Sequence, residues 1–532
     1  MVAATASASK PWLVQKYGGT CLGKLMDTIC GSIIPSYTEQ HRLVVVCSAL
    51  PGTLKTTGTT SLLLKCIALT ELGAGSRDQL VDVINLIRDD HLALLDTIYE
   101  AETRSELGTY EATKTHITRE CEATKNFLLA AQVVGELSPR ATDRVISLGE
   151  KLACITIAAC LASKGISAKP VILDDVVSTV FGPSVDDQTA MLDRLGPGFY
   201  HAIAEEMAAR VIGCDSAIPV VTGFFGTMPN SLIQTVGRGY SDLCAAMVSV
   251  AVGAMELQIW KEVDGIFTAD PRKIPSAQLL HFVTADEATE LTYYGSEVIH
   301  PLTMDQIREA NIPVRLKNVI KPNDEGTLVD PKAVSPVLEI GQLTKKVVTP
   351  PGVLLKQDFS VDRSERRRPT AVTVKDDILL INVVCNRTTK SAGLLVQVFG
   401  RLERNNIPVD LIATSERNVS LAVHSPGNFG AVLRLKEELD KIGQVSIAKN
   451  MSIVTIVGHK MKNQAGVANE TLAALAAENV NIHLISQGAS EISISLVVNA
   501  EDATAALNAI HRDVLKIPTI EESRFRRRAW LY

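Results

Sequence analysis

The C-terminal part of the chain carries an internal repeat, and this repeat constrains the fold more than any other feature. Sliding the sequence against itself by 73 residues pairs Gly393 with Gly466, Phe399 with Leu472, Leu402 with Leu475, Asn406 with Asn479, Val409 with Ile482, Leu411 with Leu484 and Ile412 with Ile485. Each copy has the pattern of a strand, a glycine-containing loop, an amphipathic helix and two further strands. The pattern predicts two copies of one small α+β unit with a split β-α-β layout. Two unrelated α+β modules are the alternative.

The residues before the repeat belong to a different structural class. From Trp12 to about Asp330, short apolar β-rich runs alternate with longer helical stretches, such as the one between Arg144 and Leu161. This alternation predicts an α/β domain with a mostly parallel sheet flanked by helices. The predicted domains are residues 11–331 for the α/β domain, 332–370 for a proline-containing linker, and 371–450 and 451–532 for the two repeat copies.

Composition and charge exclude several classes of protein. The formal net charge of -6 argues against nucleic acid as a partner, because phosphate binding needs an excess of Lys and Arg. The ten cysteines show no CxxC pair or Cys/His cluster at zinc-ligand spacing, so no metal site and no disulfide framework are predicted. Reduced thiols predict a cytoplasmic protein, and no apolar run reaches the roughly 20 residues that cross a membrane. The basic runs Arg366–Arg368 and Arg524–Arg528 are interpreted as solvated surface.

Two segments follow predicted strands at positions suited to ligand binding. In Lys16–Thr20 two glycines let the backbone approach a phosphate, and the Lys16 ammonium can offset the charge on a transferred phosphoryl group. The segment Lys261–Arg272 follows the strand Leu257–Trp260, at the sheet edge where α/β proteins bind ligands. Taken singly, each segment is also explained as a structural turn.

A further glycine segment, Val236–Asp242, precedes an apolar helix. Its glycines and Ser241 therefore lie at a helix N-terminus, which favours anions. Arg238 can grip a carboxylate with two hydrogen bonds. Asp242 either caps the helix or orders a Mg²⁺–ATP site.

Together these segments resemble the aspartate kinases of the amino-acid kinase family. The resemblance covers nearly the whole chain and rests on Lys16–Thr20, Ser147–Glu150, Gly237–Asp242, Val263–Arg272, Tyr294–Pro301 and Val409–Glu416. It implies an amino-acid kinase fold followed by two ACT domains. It also implies transfer of the γ-phosphoryl group of ATP, with Mg²⁺, to the β-carboxylate of L-aspartate, at the entry to threonine and methionine synthesis.

The resemblance implies roles for single residues. The catalytic set is Lys16, which would stabilise the transferring phosphoryl group, Arg238 and Asp242. The substrate set is Thr60 at the β-carboxylate, Glu150 at the α-ammonium, Arg238 at the α-carboxylate, and Ser241. The ATP set is Lys16, Gly18, Gly19, Thr20, Lys261, Glu262, Phe267 and Arg272. No metal ligand among the protein residues is implied.

Three departures from the family pattern resemble its fungal branch. Cys21 replaces a common Ser, and Glu297 replaces the Lys of bacterial members. Lys261 and Glu262 replace Thr or Ser and Asp. These changes concern the nucleotide contacts more than the reaction.

The ACT pair implies feedback inhibition by an amino acid, which is threonine or, as the alternative, lysine. The effector residues implied are Gly393, Asp410, Thr414, Ser415 and Glu416 in the first copy, and Asn479, Asn481 and Gln487 in the second. Asp and Ser near strand ends also serve as turn formers. Because ACT domains bury their edges against a copy of themselves, a homodimer or larger even assembly is implied.

Two other functions compete with this interpretation. The ACT pair and the Val-Asp-Leu-Ile segment argue against a kinase acting on glutamate or N-acetylglutamate. A catalytically inactive amino-acid sensor is the alternative from another class of protein. In that case Glu297 would be a trace of the lost activity. The retained Lys16, Glu150, Arg238 and Asp242 favour an enzyme. The length leaves no room for a fused homoserine dehydrogenase, so a monofunctional chain is expected.

Overall fold

The computed structural model describes residues 10–51, 58–99, 108–229, 231–232, 239–295, 299–331, 368–385, 391–424 and 429–518. The strands are β1 (Trp12–Tyr17), β2 (Arg42–Cys47), β3 (Ala168–Val171), β4 (Ile218–Thr222), β5 (Glu256–Lys261), β6 (Phe282–Thr284), β7 (Val314–Asn318), β8 (Thr327–Asp330), β9 (Ala371–Cys385), β10 (Leu411–Thr414), β11 (Asn418–His424), β12 (Gly443–Val457), β13 (Leu484–Gln487) and β14 (Ser493–Asn499).

The helices of the N-terminal part are α1 (Gly19–Lys24), α2 (Met26–Thr28), α3 (Ile34–Thr38), α4 (Thr59–Glu71), α5 (Arg77–Ile98), α6 (Gly108–Val134), α7 (Pro139–Ser163), α8 (Val176–Phe181), α9 (Val185–Leu195), α10 (Pro197–Ile212) and α11 (Tyr240–Ala251). The later helices are α12 (Ala285–Tyr293), α13 (Pro301–Ala310), α14 (Ser391–Arg404), α15 (Phe429–Leu439), α16 (Val467–Ala477) and α17 (Ala503–Asp513). A π-helical turn spans Ile29–Ile33, and 3₁₀ turns span Ala74–Ser76 and His459–Met461.

The chain divides into two compact units. The first unit contains Met1–Gly265 and Ile299–Lys332, and the second contains Ile266–Val298 and Ala333–Tyr532. The inserted segment, Ile266–Val298, therefore belongs to the second unit although it lies within the predicted α/β domain. Most of the predicted linker, up to residue 367, lies outside the described residues.

The first unit is built on a mostly parallel sheet, as the sequence predicts. Its strand order is β3-β4-β2-β1-β5-β7-β8, and each pairing in that order is parallel except β7 with β8. Five of the six residues in β1 and in β2 are buried, which explains their nearly continuous apolar runs. Because β2 and β5 lie on opposite sides of β1, the chain connections diverge there. Such a switch point opens a crevice at the carboxyl ends of the strands.

Helix α7 is the core helix of the first unit. It begins at Pro139, and the Ser138 side chain caps it by accepting a hydrogen bond from the Ala141 N–H at 3.3 Å. The helix packs against α4, α5 and α6. By length and composition it is apolar enough to cross a membrane, and 89% of its most apolar window is buried inside the fold.

The second unit contains both repeat copies in one antiparallel sheet. The strand order is β10-β11-β9-β12-β14-β13. A shift of 73 residues maps β10 onto β13 residue for residue, and it maps α14 onto α16 with a different first residue. The predicted repeat of one α+β unit is therefore confirmed.

The two repeat copies share their long central strands, β9 and β12. Residues 371–375 of β9 pair with 453–457 of β12, beside the second copy. Residues 378–385 pair with 443–451, beside the first copy. The second copy therefore takes one of its strands from residues that precede the first copy. The predicted boundary between the copies stays a prediction.

Buried polar contacts hold the inserted segment in the second unit. The Glu287 carboxylate accepts hydrogen bonds from Thr370 Oγ1 at 2.6 Å and from the His459 backbone N–H at 2.8 Å. Thr268 Oγ1 lies within hydrogen-bond distance of His511 Nε2, at 3.0 Å. Since buried polar groups need partners, these contacts tie the segment to the residue before β9, to the 3₁₀ turn after β12 and to α17.

Candidate active site

The carboxyl ends of four parallel strands meet at one edge of the first unit's sheet. The strand register aligns Tyr17 of β1 with Cys47 of β2 and with Trp260 of β5, and it aligns Cys47 with Thr222 of β4. The residues just beyond these strand ends are Gly18, Ser48, Gly223 and Glu262. They lie around the crevice that the topology predicts.

A buried ion pair lies at this edge. Lys16 Nζ and Asp242 Oδ1 are 2.6 Å apart, and each side chain is 7% exposed. Burial by itself disfavours the charged Asp242 carboxylate, but the charges of Lys16 and Lys261 outweigh burial and lower its pKa. The pair therefore holds an ammonium group at the end of β1, where the low local dielectric strengthens its action on a bound anion.

The start of α11 packs closely against the ends of β2 and β4. Gly239, just before the helix, has φ of 99°, a conformation that favours glycine. Ser241 Oγ lies 2.9 Å from Ser48 Oγ. A Cβ on Gly223 would collide with Ser241 Cβ, so glycine at position 223 permits this approach. Two hydroxyl groups are thus placed at a helix N-terminus, which suits an anionic group.

Glu150 reaches the same crevice from α7. It is 2% exposed, and burial raises its pKa to about 8, against the opposing effects of a hydrogen bond with Tyr240 and the charge of Lys16. Its Oε1 would lie 3.2 Å from a Cβ built on Gly223. A buried carboxyl with a raised pKa beside a crevice is typical of a functional site, and a ligand ammonium would stabilise its charged form.

Lys261 and Glu262 lie close enough to alter the charges of the site. Burial and the charge of Glu262 raise the pKa of Cys21 to about 11, while Lys16 and Lys261 oppose that rise. Lys261 also lowers the pKa of Asp242, as stated above. Lys16 and Lys261 therefore bring positive charge to the ends of β1 and β5, and Asp242 and Glu262 bring negative charge beside it.

Comparisons with known proteins decide the family. Residues 11–318 match the amino acid kinase family, and residues 454–514 match the ACT domain. The aspartokinase of Candida albicans is 41% identical over 96% of this chain and 91% of its own length. That of Saccharomyces cerevisiae is 41% identical over 98% of this chain and 95% of its own length. The chain belongs to the aspartokinases of the amino acid kinase family.

This aspartate kinase has a regulatory ACT domain, and its fold agrees with a solved relative. The structure of Escherichia coli aspartokinase III in complex with aspartate and ADP is 25% identical, with a TM-score of 0.68 over 94% of this chain and 99% of that chain. The family, the phosphotransferase class and the fold class predicted from the sequence are confirmed. The fungal relatives also agree with the fungal features in the nucleotide motifs.

The structure brings several predicted catalytic and substrate residues of this aspartokinase together. Those at the sheet edge are Lys16, Glu150, Ser241 and Asp242. Thr60 is exposed in the first turn of α4, whereas its neighbour Thr59 is buried beside Gly149 of α7. Arg238 and Glu297 lie outside the described residues, so their predicted roles have no structural test.

The predicted ATP residues fall into two groups. Lys16, Gly18, Gly19, Thr20, Lys261 and Glu262 lie in the first unit, and Phe267 and Arg272 lie in the second. A Cβ on Gly19 would collide with the Ala49 carbonyl oxygen, so the backbones of α1 and of the segment after β2 are in close contact. The Arg272 side chain is 89% exposed, and its Nη2 lies 2.9 Å from Asp270 Oδ2. The roles of these residues toward ATP stay predictions.

Three residues of the site carry no expectation from the sequence. They are Ser48, Gly223 and Tyr240. Ser48 and Gly223 each follow a buried parallel strand. A polar residue or a glycine directly after such a strand is a sequence signal for a ligand site, and it could have predicted both residues. Tyr240 stands next to Ser241 within the quoted motif, but nothing local shows that it lowers the pKa of Glu150.

In the second unit, the predicted effector residues of the first copy differ in exposure. The Asp410 side chain is 5% exposed, and its Oδ1 lies 2.6 Å from Lys375 Nζ. Thr414, Ser415 and Glu416 are exposed at the end of β10 and in the turn that follows. The Asp410 carboxylate therefore already has a cationic partner within the chain.

The remaining effector residues lie on, or next to, two helices and an edge strand. Gly393 is half-buried within α14, while Asn481 and Gln487 are exposed before and at the end of β13. Asn479 has φ of 56° after α16, and its repeat equivalent Asn406 has φ of 55° after α14. A left-handed residue at this position ends a helix, so Asn479 has a structural role in addition to any contact with an effector.

Proposed function

We propose that this aspartokinase transfers the γ-phosphoryl group of ATP to the β-carboxylate of L-aspartate and yields 4-phospho-L-aspartate, the first step toward threonine and methionine. The observation that carries the proposal is the buried pair of Lys16 and Asp242 with Glu150 beside it. The ammonium suits a phosphoryl group, and the enclosed carboxyl suits an amino group. The aspartate and ADP complex of E. coli aspartokinase III supports both ligands.

The substrate's own carboxylate is the nucleophile in the proposed reaction. It has an ordinary pKa of about 3.9 and is ionised at neutral pH, so no general base is needed. A carboxylate oxygen forms a bond to the γ-phosphorus while the bond from that phosphorus to ADP breaks. Lys16 offsets the negative charge on the transferring oxygens, and Asp242 keeps its ammonium in place. The Ser48 and Ser241 hydroxyls share one hydrogen bond, and the hydroxyl that accepts it donates to a substrate or phosphate oxygen.

We propose that Mg²⁺ enters the site on the phosphates of ATP. When bound, it would offset part of the negative charge of the phosphates. In the part of the chain that the structure describes, no three His, Cys, Asp or Glu side chains are grouped to hold a metal ion. At ATP sites Mg²⁺ usually takes most of its ligands from waters and phosphates.

The regulatory proposal is that threonine inhibits the enzyme by binding the ACT repeat, with lysine as the alternative. A structure of E. coli aspartokinase III in complex with lysine and aspartate supports an amino acid as the effector class. Asp410 and the exposed turn from Thr414 to Glu416 offer groups for its ammonium and carboxylate. Inhibition follows if the effector binds one arrangement of the protein better than another. A homodimer or larger even assembly and a cytoplasmic location belong to the same proposal.

An assay of ADP release with Mg²⁺–ATP and L-aspartate, with hydroxylamine to trap the acyl phosphate, tests the reaction. We expect turnover with aspartate and none with glutamate. Threonine should suppress turnover, and suppression by lysine alone would make lysine the effector. If aspartate and ATP bind in calorimetry without any turnover, the catalytic proposal fails and an amino-acid sensor replaces it.

A further inference from the structure

The connection between β4 and α11 begins and ends at the candidate active site. It begins at Gly223, where an added Cβ would collide with Ser241 Cβ and would lie 3.2 Å from Glu150 Oε1. It ends at the left-handed Gly239, directly before α11. The path of this connection therefore determines how the first turn of α11 lies relative to Glu150.

A buried carboxyl group on α7 holds the connection at a point between its two ends. Asp143 is 0% exposed. Its Oδ1 accepts a hydrogen bond from Ser231 Oγ at 2.7 Å, and its Oδ2 accepts one from the backbone N–H of Leu232. Ser231 and Leu232 are buried as well. Hydrogen bonds to a carboxylate are strong, and burial strengthens them further, so these two contacts fix the chain here.

The backbone of Ser231 has a conformation that serine rarely adopts. Its φ is 65°, in the left-handed region that favours glycine. The Ser231 N–H donates to the Met228 carbonyl oxygen at 3.2 Å, which closes a turn. A left-handed residue other than glycine persists only where its surroundings hold it. The hydrogen bond from the Ser231 hydroxyl to Asp143 supplies such a restraint.

Asp143 and Glu150 lie on the same helix, α7. They are seven residues apart, which is two helical turns, so both side chains leave the same face of α7. One turn before Asp143, Arg140 Nη2 donates to Thr227 Oγ1 at 3.2 Å. The core helix that carries Glu150 therefore also holds the connection at two places, and one rigid element sets the position of both.

We propose that Asp143 is a positioning residue for the aspartate substrate: it holds the connection from β4 to α11 on α7 and so fixes the gap between Glu150 and Ser241 in which the amino acid binds. The inference rests on the proposed function, in which Glu150 and Ser241 contact aspartate. Asp143 acts through the connection and not by touching the substrate.

Loss of this anchor should weaken aspartate binding and leave the chemical step nearly intact. Without it, the connection adopts its binding-competent path for only a fraction of the time, and the apparent affinity falls by that fraction. Bound aspartate restores the path, so the complex that reacts is the same. We therefore expect KM for aspartate to rise, while kcat and KM for ATP change by less than about threefold.

Three variants of the full-length enzyme, assayed with Mg²⁺–ATP and hydroxylamine, test the inference. Ser231→Ala removes one of the two hydrogen bonds and should raise KM for aspartate about tenfold. Asp143→Ala removes both and should raise it about 100-fold. Ser231→Gly also lacks the hydroxyl, but glycine adopts a φ of 65° without help, so its KM should rise less than that of Ser231→Ala.

Ser452→Ala is the matched control. Ser452 is buried, and its hydroxyl also donates to an aspartate, Asp376 Oδ1 at 2.9 Å, but in the second unit. This variant should lose stability in calorimetry, as Ser231→Ala does, and keep the wild-type KM for aspartate when no effector is present.

A wild-type KM for aspartate in Ser231→Ala, with only a lower melting temperature, would overturn the inference, because Asp143 would then support the fold alone. Ser231→Ala keeps the test decisive even if Asp143→Ala does not fold. Equal impairment of Ser231→Gly and Ser231→Ala would also overturn it, since the hydroxyl would then act on the substrate and not on the backbone.

Glu150→Gln distinguishes this failure from that of the proposed function. If Glu150→Gln keeps the wild-type KM for aspartate, the proposed place of the substrate is wrong, and the role of Asp143 falls with it. If Glu150→Gln loses aspartate while the variants of Ser231 and Asp143 keep the wild-type KM, the role of Asp143 alone is wrong.

Discussion

Replacing Lys16 by methionine should reduce both catalysis and stability, and the two losses can be separated. Lys16 and Asp242 are 2.6 Å apart and each 7% exposed, so Lys16→Met leaves a buried carboxylate without its partner. Breaking a buried pair in this way costs about 3–5 kcal/mol. At about 2–4 °C per kcal/mol, the melting temperature of the first unit should fall by roughly 6–20 °C. Losing one preorganised charge at the reacting group should lower kcat about 100- to 1000-fold.

The double variant Lys16→Met/Asp242→Asn separates the two effects. With the unpaired charge removed, most of the lost stability should return, while kcat stays low because the ammonium is still missing. Calorimetry follows the melting temperature, and the hydroxylamine assay follows kcat. Lys164→Met is the control, since Lys164 pairs with Asp27 at 3.4 Å on the surface, where an ion pair contributes about 0–1 kcal/mol.

Three results would refute this reasoning. Wild-type turnover in Lys16→Met would remove Lys16 from phosphoryl transfer. An unchanged melting temperature would mean that the pair with Asp242 is not buried in solution. If the double variant is as unstable as the single one, the loss comes from packing of the Lys16 side chain and not from the unpaired charge.

Three further substitutions test other parts of the protein. Gly223→Ala adds a Cβ that collides with Ser241 Cβ, so the first turn of α11 must move; we expect kcat/KM to fall about 100-fold, and unchanged kinetics would remove Ser241 from the site. Lys375→Met removes the cation that pairs with Asp410 and leaves this carboxylate available to the effector. Inhibition titrations should therefore show a lower half-inhibitory effector concentration. A higher concentration would mean that this ion pair supports the inhibited state. Glu416→Ala, at an exposed turn, should raise that concentration and leave uninhibited kcat unchanged; equal inhibition would place the effector elsewhere.

Much of the fold follows from the sequence because its signals are local. The apolar run predicted as the first strand is β1, from Trp12 to Tyr17, and the helical spacing between Arg144 and Leu161 falls within α7. The repeat offset of 73 residues places the edge strands β10 and β13 at equivalent positions. Periodicity within a short window reports which face of an element is buried, and so it determines the type of element.

The site is only partly predictable for the same reason. The motifs name Lys16, Glu150 and Asp242, but each motif by itself also fits a turn or a helix cap. Ser48 and Ser241 are 193 residues apart in sequence, yet their hydroxyls lie 2.9 Å apart. Their proximity depends on two strand ends and a helix start meeting at one edge of the sheet, and no local pattern encodes that meeting.

By itself, the sequence determined the alternation of strands and helices in the α/β domain, the repeat and the chemical groups available for phosphoryl transfer. Only the tertiary structure decided that the inserted segment belongs to the second unit and that residues 371–375 complete the sheet beside the second repeat copy. It also decided that Glu150 and Ser241 meet beside Gly223, at the end of β4. Local preferences act over a few residues. The partner of a strand edge or of a buried polar group, in contrast, depends on which distant segments come together when long loops close and water is excluded from the core.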